Sequence, residues 1–582
     1  MSTSVTAGLL YIWNKWQVQI LVLVSFAMQL FLLIFARMRH CNISRALRIL
    51  LWLVYLLADS TATYTLGHMS INSEPDKHHR QLVAFWAPFI LVHLGGQDTI
   101  TAYAMADNQL WLRHLFTFTV QALGAGYVIY KNIGSQGPLV KAAILMFVVG
   151  VVKNGERVWA LSSSSLESIS KFLDNATIMQ KDGPYSARTQ LDKNELDGEV
   201  VLQGAHDLLY ICMGQFVDDK VWPSMFQMDA LELFHEKGSM YELIEMQLSL
   251  MYDIFYTKEW NWFHWLFVSL RRWVKAAERK SWSGSIGQHN LIDSSNNEDT
   301  GCLGSGMTSF WKRSSNMISV GTKKLVMEEI SRMVQACEDN EELMRNYRGQ
   351  CVLSQHGGMW EDLTWSTDIE FDDSILAWHI ATNKLLQRSD LKGDAKALAK
   401  ATEVLSNYMI FLVVERPYML PSPVRQRLYV QARKELNWMT KRRSFLGIRS
   451  KERGDSPVCA HGDYLGRQLL GNKEHTATEL LQVVFGVWVE MLCYAAHHCS
   501  RDSHAKQLSN GGEFITVVWL LTTAEFNRVN CQQERFKERK HYRSFWSFIV
   551  APFIWPLCLC IGYTSTKNIQ KTFDSVFTWM ES

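Results

Sequence analysis

Phe85-Trp-Ala-Pro-Phe-Ile-Leu-Val-His-Leu-Gly-Gly-Gln-Asp-Thr-Ile-Thr-Ala-Tyr103 begins as an apolar run, breaks at Gly95-Gly96 and places an ionisable Asp98 just past the break. From residue 82 to 94 the run falls short of the roughly 20 residues a helix needs to cross a bilayer. Carried through the break to Met105, it is long enough. Backbone that leaves the helix at such depth persists only inside protein or beside water, and an acid there marks a functional site by default. The alternative is that Gly95-Gly96 end the helix and Asp98 caps the next one at the interface. Either reading makes this a membrane protein and leaves its activity open.

Four further apolar runs surround this one. Residues 18–36 lie between Trp13, Trp16 and Arg37, Arg39, with no small-residue cleavage site, so they read as a retained span. Residues 46–66 carry Asp59-Ser60-Thr61 in their second half. Residues 115–130 hold Gly124 and Gly126, which allow close helix contact. Residues 139–152 leave through Lys153-Asn-Gly-Glu-Arg157. Arg37, Arg39, Arg45 and Arg48 crowd the first connection, which the positive-inside rule makes cytoplasmic. The N-terminus is then outside or lumenal, and five spans return the chain to the cytoplasm at Lys153. Asp59 and Asp98 are the candidate functional membrane acids. Lys153, Glu156 and Arg157, three and four residues apart, share a helix face as candidate polar partners. They read either as a solvated, snorkelling helix end or as partners of Asp98 or Asp107.

The totals fit a membrane part joined to a large polar part: 48% hydrophobic and 20% charged residues, with mean hydropathy −0.07. A net charge of +2 argues against a general nucleic-acid binder. The 11 cysteines show no repeated pair spacing, so no disulfide framework is implied.

From about residue 161 the periodicity is that of soluble amphipathic helices. Residues 201–218 read as one mostly apolar, buried helix and 228–256 as another helical segment. His206-Asp207 has no nucleophile beside it and reads as a core pair. Trp260, Trp262, Phe263, Trp265 and Phe267 precede Arg271, Arg272, Lys275, Arg279 and Lys280, a pattern that suits a membrane surface or a Trp-rich core face. Residues 288–315 read as a loop and 322–348 as a charged helix. Glu370, Asp372 and Asp373 stand at a helix start, where capping accounts for them. The apolar run 408–414 is too short to span, and Gln482 and Glu490 make 476–496 a buried helix. Cys493, His497, His498, Cys499 and His504 form a metal-like cluster without finger-type spacing, so no zinc is assigned. Asn510-Gly511-Gly512 lacks the Lys and hydroxyl residue of a P-loop. Residues 544–563 are a candidate extra membrane segment, or a buried or embedded hairpin interrupted by Pro552 and Pro556.

Trp86-Ala-Pro88, Gly95-Gly96-Gln97-Asp98-Thr-Ile-Thr, Asp107-Asn108-Gln-Leu-Trp-Leu-Arg113, Val152-Lys-Asn-Gly-Glu-Arg157, Gln203-Gly-Ala-His-Asp207, Trp282-Ser-Gly-Ser-Ile-Gly-Gln288 and Trp378-His-Ile-Ala-Thr382 together resemble a plant family of multi-pass membrane proteins, abundant in grasses and of unknown function. Its N-terminal region is known as DUF4220, here about 50–415. Its C-terminal box, DUF594, is matched by Trp488-Val-Glu-Met-Leu492 and by residues 504–521 with Gly511, Gly512 and Glu513. Family members carry further hydrophobic spans where this chain has only the Trp/Arg-rich stretch, and the tail after about Asn527 departs from the family box. The resemblance implies location and architecture, with no reaction attached.

The expected architecture is mainly α: a transmembrane bundle of about five spans in residues 1–160, a helical cytoplasmic region in 161–450 and a helical box in 475–530. The expected function is that of a plant integral membrane protein serving interaction or regulation, in the plasma membrane or an endomembrane. The expected partners are the bilayer and cytosolic proteins, without nucleic acid or cofactor. A transporter or channel using the membrane acids is the alternative, and an enzyme the least supported.

Overall fold

The computed structural model describes residues 2–40, 45–71, 77–132, 138–179, 198–219, 221–258, 284–296, 315–337, 341–387, 393–446, 457–471, 476–533 and 537. The Trp/Arg-rich stretch at 260–280 and the apolar run at 544–563 lie outside them.

Five long helices form the first unit: α1 (Ser2–Phe35), α2 (Arg45–Ile71), α3 (Lys77–Leu94), then, after the short α4 (Met105–Gln109), α5 (Trp111–Asn132) and α6 (Pro138–Ser163). The third is central and packs on the first, second, fifth and sixth. Ala87, Ile90, Leu91 and Leu94 of α3 meet Leu66 and Met69 of α2 and Ala125 and Val128 of α5. Small residues set the spacing, since a Cβ at Gly124 would come within 3.3 Å of Leu66. At Gly126 the nearest side chain, Phe147, would be 3.8 Å away, an ordinary contact.

The outward faces of this unit are apolar. Leu23, Phe26 and Leu33 of α1, Leu53 and Leu57 of α2, Phe116 and Leu123 of α5, and Leu145 and Val148 of α6 are all exposed. That pattern inverts the usual soluble helix, whose polar face is outside.

The rest of the chain is a helical body: α7 (Leu166–Met179), α8 (Gly198–Asp207), α9 (Leu209–Val217), α10 (Met225–Glu236), α11 (Met240–Tyr256), α12 (Val320–Ala336), α13 (Gln350–His356), α14 (Phe371–Leu386), α15 (Asp394–Glu415), α16 (Gln426–Leu446), α17 (Pro457–Gly471), α18 (Ala477–His498), α19 (Arg501–Leu508) and α20 (514–533), with shorter turns between. A two-stranded antiparallel ribbon, β1 (Ser285–Gly287) with β2 (Ser315–Met317), brackets the expected loop at 288–315, whose described part includes a short helix, Leu291–Asn296. One hydrophobic core runs through the body, with Trp378, Trp488, Phe234 and Tyr256 fully buried. The indoles keep their hydrogen bonds, Trp378 to Ser366 Oγ at 3.1 Å and Trp488 to Thr382 Oγ1 at 3.0 Å.

Several elements differ from the sequence expectation. The helix expected over 201–218 is bent by 49° between α8 and α9. Side-chain amides take the carbonyls at the break: Gln227 donates to Asp207 O at 2.7 Å and Gln247 to Leu208 O at 3.3 Å. The segment expected over 228–256 divides at Gly238, whose φ of +67° ends α10. Helices long and apolar enough to cross a membrane are also not confined to the N-terminal region. Among the described residues four qualify by length and composition: Trp16–Phe35, Ala46–Ile71, Asp394–Glu415 and Ala477–His498, with α8 and α9 a fifth if the bent pair counts as one. The run at 408–414 therefore belongs to a helix of spanning length. The first two are only 22% and 33% buried within the protein, the later two 72% and 83%. α5 and α6 are not among them, and α3 contributes the shorter apolar segment Phe85–Leu94.

Candidate functional site

A helix ends with carbonyls that have no intrahelical partner. At the end of α3 the chain tightens, with Gly95 N–H donating to Val92 O and Gly96, at φ +66°, donating to His93 O. The freed carbonyls are taken by side chains from elsewhere. Asn154 Nδ2 donates to Leu91 O at 2.7 Å, Arg157 Nη1 to Leu94 O at 2.8 Å, and Lys258 Nζ to Gly95 O at 3.0 Å. This explains why a Lys-Asn-Gly-Glu-Arg run on α6 accompanies a Gly-Gly break on α3.

The same arginine reaches Asp59. Its Nη1 and Nη2 lie 3.2 and 3.1 Å from the two carboxylate oxygens, with the Arg157 side chain 9% exposed and Asp59 36%. Arg157 Nη2 also donates to Tyr55 Oη at 3.4 Å, and Tyr55 in turn donates to Asp107 Oδ2 at 3.3 Å. Asp107 accepts from the Tyr103 and Ala104 amides at 2.8 and 3.1 Å, which closes α4. Arg157 is thus neither a solvated helix end nor a partner of Asp98 or Asp107. Its burial forces a close counter-charge, and α2 supplies it.

Asp98 belongs to a different contact. Its side chain is exposed and 3.5 Å from Lys258 Nζ, so the two candidate acids are paired with different cations. Burial pushes the Lys258 ammonium down to about 8 against the opposing pull of Asp98, with Lys153 lowering it further and Glu156 raising it. Lys153 lays its stem along Gly95, where a Cβ would come within 2.8 Å of Lys153 Cγ. Gln97 ties the loop to α1 by donating to Gln29 O and Oε1, both at 3.3 Å. Trp86 packs at the edge of the bundle core, and Pro88 sits within α3.

The loop after the break also joins the bundle to the body. Thr101 N–H donates to Tyr256 O, Lys258 N–H to Asp98 O, and buried Asn108 to Phe255 O at 2.8 Å. Arg39 donates to Ala102 O and Tyr103 O and lies over the Tyr103 ring. Tyr256 Oη donates to Ala505 O at 2.8 Å, carrying the joint to α19.

Between α2, α5 and α6 lies a cavity of about 480 Å³, bordered by Leu94. Asp59, Ser60, Thr63, His114, Thr117, Gln121, Asn154 and Arg157 give it polar walls.

In the body, buried polar groups serve one another. Glu490 accepts from the Gly349, Cys351 and Val352 amides at 2.7–3.1 Å, stabilising the start of α13 from a neighbouring helix. Glu513, following Gly511 and Gly512 at φ +94° and +72°, accepts from Arg416 Nε and Gln507 Nε2. Burial raises the Glu513 carboxyl above the usual range, opposed by Arg416. Asp372 stands in the first turn of α14, where it accepts from the Asp373 amide as the acidic lead suggested, and Arg425 adds a tertiary ion pair through its backbone N, Nε and Nη2. Burial alone would raise the Asp372 carboxyl, but the Arg425 contacts hold it below its usual range. The metal-like cluster is dispersed over separate partners: His497 with Thr522, Cys499 with Ser500 O, His504 with Thr516 and Ala496 O. Asp207 accepts from Gln203 at 3.0 Å. Among the described residues no three His, Cys, Asp or Glu side chains converge as a metal site.

The fold and site define a mainly α protein with candidate membrane spans and an ion-paired cavity in its N-terminal bundle. Two protein-family models match the chain: Domain of unknown function (DUF4220) over residues 52–271, and Protein of unknown function, DUF594 over residues 473–524. The chain therefore carries a DUF4220 and a DUF594 domain. The first contains Asp59, the Gly-Gly break and Arg157, and the second contains Glu490, His504 and Glu513. No curated protein and no solved structure matches.

Proposed function

We propose that this is a plant integral membrane protein whose N-terminal bundle lies in the bilayer and whose helical body, on the cytoplasmic side, serves interaction or regulation. The carrying observation is the contrast in exposure: the candidate spans Trp16–Phe35 and Ala46–Ile71 turn most of their apolar surface outward, whereas Asp394–Glu415 and Ala477–His498 bury theirs within the body. Water would penalise the first arrangement and a lipid phase would not. The arginines flanking the first connection support a cytoplasmic body. The His and acid side chains that sequence offers for catalysis are engaged in packing and capping bonds, which supports a non-enzymatic role.

The test is carbonate extraction followed by protease protection on sealed vesicles, with an epitope inserted after Thr300. Resistance to extraction, with the epitope cleaved from the cytoplasmic side, supports the assignment. An extractable protein overturns the membrane reading, and a protected epitope overturns the orientation.

A transporter or channel is the second reading, supported by Asp59 on the cavity wall. Loss of proton flux in proteoliposomes on Asp59→Asn, with Asp98→Asn unaffected, would favour it.

A further inference from the structure

We infer that the Asp59–Arg157 cavity is a binding site for a neutral, hydroxyl-bearing amphiphile entering from the bilayer. The inference rests on the membrane assignment of the bundle and adds a ligand class to it.

The mouth of the cavity sets the route. Ser60, Thr63 and Tyr64 on α2 and Thr117 on α5 line it and are exposed, and Leu57, Phe116 and Val120 beside them are exposed as well. The opening thus lies on the apolar flank of the bundle. Its volume of about 480 Å³ falls within the range of roughly 300–1,000 Å³ typical of small-molecule sites.

The walls set the chemistry. Ser60, Thr63 and Thr117 each donate their hydroxyl hydrogen to the carbonyl four residues earlier, at 2.8–3.1 Å. The oxygens of Ser60 and Thr117 are therefore left to present lone pairs, and Thr63 Oγ1, which already accepts from Gln121 Nε2 at 2.7 Å, keeps one. Asp59 adds carboxylate acceptors. Behind this acceptor-rich wall lies an unsatisfied donor, Arg157 Nε, buried and without a hydrogen-bond partner although both Nη atoms are engaged. His114 also lines the cavity, and its Nε2 is likewise buried and unpartnered.

Three head groups can be ranked against that pattern. A carboxylate would accept from Arg157 but has no proton for Asp59 and would be repelled by it. A primary ammonium would donate to Asp59 but has no lone pair for Arg157. A hydroxyl donates one bond and accepts another, so it satisfies both without adding charge to a low-dielectric site. Phe118 and Tyr64 offer ring surface to an apolar body.

The experiment uses full-length protein in phosphatidylcholine nanodiscs at pH 7 with three photoreactive diazirine probes: hexadecanol, hexadecanoic acid and hexadecylamine. Peptide mapping should show the alcohol labelling residues around 60–64 and 114–121 about fivefold more than either ionic probe, the factor expected for one lost hydrogen bond. Excess dodecanol should compete. Thr117→Phe, which fills the mouth and leaves the ion pair intact, should lower that labelling about fivefold with the melting temperature unchanged. Asp59→Asn is the second variant and should abolish the preference over the acid, because it removes the carboxylate that repels that probe while leaving Arg157 in place. Equal labelling by all three probes, or labelling indifferent to Thr117→Phe, overturns the site while leaving the membrane assignment standing. Protein that carbonate extracts from native membranes overturns both.

Discussion

Arg157 and Asp59, 98 positions apart in the chain, meet guanidinium to carboxylate through two parallel contacts of 3.2 and 3.1 Å. The pair fastens α6 to α2, and because Arg157 also donates to Leu94 O, it holds the end of α3 between them. Removing one partner of a buried pair strands the other charge at a cost of about 3–5 kcal/mol, whereas an apolar replacement of both is often neutral. Partial exposure of Asp59 places this pair at the lower end of that range. Arg157→Met should sharply lower the melting temperature of the detergent-solubilised protein, and Asp59→Leu combined with it should restore most of the loss. The Leu94 carbonyl stays uncapped in the double variant, so recovery stays incomplete. A double variant as unstable as Arg157→Met alone would show that the ion pair is not what fastens the helices.

Asn108 tests the joint between bundle and body. Its side-chain amide donates to Phe255 O in a buried setting, beside the Thr101 to Tyr256 and Lys258 to Asp98 backbone bonds. Asn108→Ala leaves that carbonyl unpaired, at about 1–3 kcal/mol. Hydrogen exchange should accelerate at the Thr101 and Lys258 amides while the amides of α18 keep their protection. Uniform acceleration throughout the body would mean that Asn108 supports global stability and has no special place at the joint.

The sequence carries the local half of this architecture. Lys153, Glu156 and Arg157 share a face because helical spacing alone puts them there, and the Gly95-Gly96 break is local turn chemistry. The partner of Arg157 was hidden because helical spacing says nothing about which face of α2 turns toward α6. Asp372 shows the same limit: its position at a helix start suggests capping, and its tertiary partner Arg425 lies 53 residues away. Composition also cannot separate a lipid-facing helix from a core helix, since both are long and apolar. Only their neighbours distinguish Ala46–Ile71 from Asp394–Glu415, whereas Gln482 and Glu490 already mark Ala477–His498 as a buried helix. The bend between α8 and α9 was equally illegible, because it is stabilised by Gln227 and Gln247 from other helices.

Gly204 accounts for the glycine of the Gln-Gly-Ala-His-Asp run. A Cβ there would stand 2.3 Å from Phe234 Cε2 and 2.5 Å from its Cζ, both deep in the body core. The ring is fully buried and has little room to yield, so Gly204→Ala should destabilise by about 1–3 kcal/mol despite the better helix propensity of alanine. Thermal unfolding of the variant measures this directly. Pairing it with Phe234→Leu should return part of the lost stability, and failure to do so would point away from a steric clash.

His504 and His379 give the body a defined response to acid. His504 donates through Nε2 to Ala496 O, accepts at Nδ1 from Thr516 and stacks on Trp519 with centroids 4.5 Å apart. His379 accepts at Nε2 from the Leu291 amide and donates through Nδ1 to Ser406. Burial pushes His504 down to about 4, with Arg501 lowering it further. Burial, with His289 adding to it, pushes His379 down to about 3. Both remain neutral in the folded protein at pH values where an unfolded histidine, titrating near 6.5, has already taken up a proton. The unfolded chain therefore binds more protons between about pH 6.5 and pH 4, and stability falls as pH drops through that window. Each histidine contributes up to ~1.4 kcal/mol per pH unit there and nothing above it. Melting temperatures from pH 7.5 to 4.5 should stay level to about 6.5 and then decline. His504→Gln should lower the value at pH 7.5, where its hydrogen bonds are weakened, and also make the acid decline shallower than in the parent. A variant that melts lower but declines with the parent slope would show that His504 does not stay neutral through that window in the folded state.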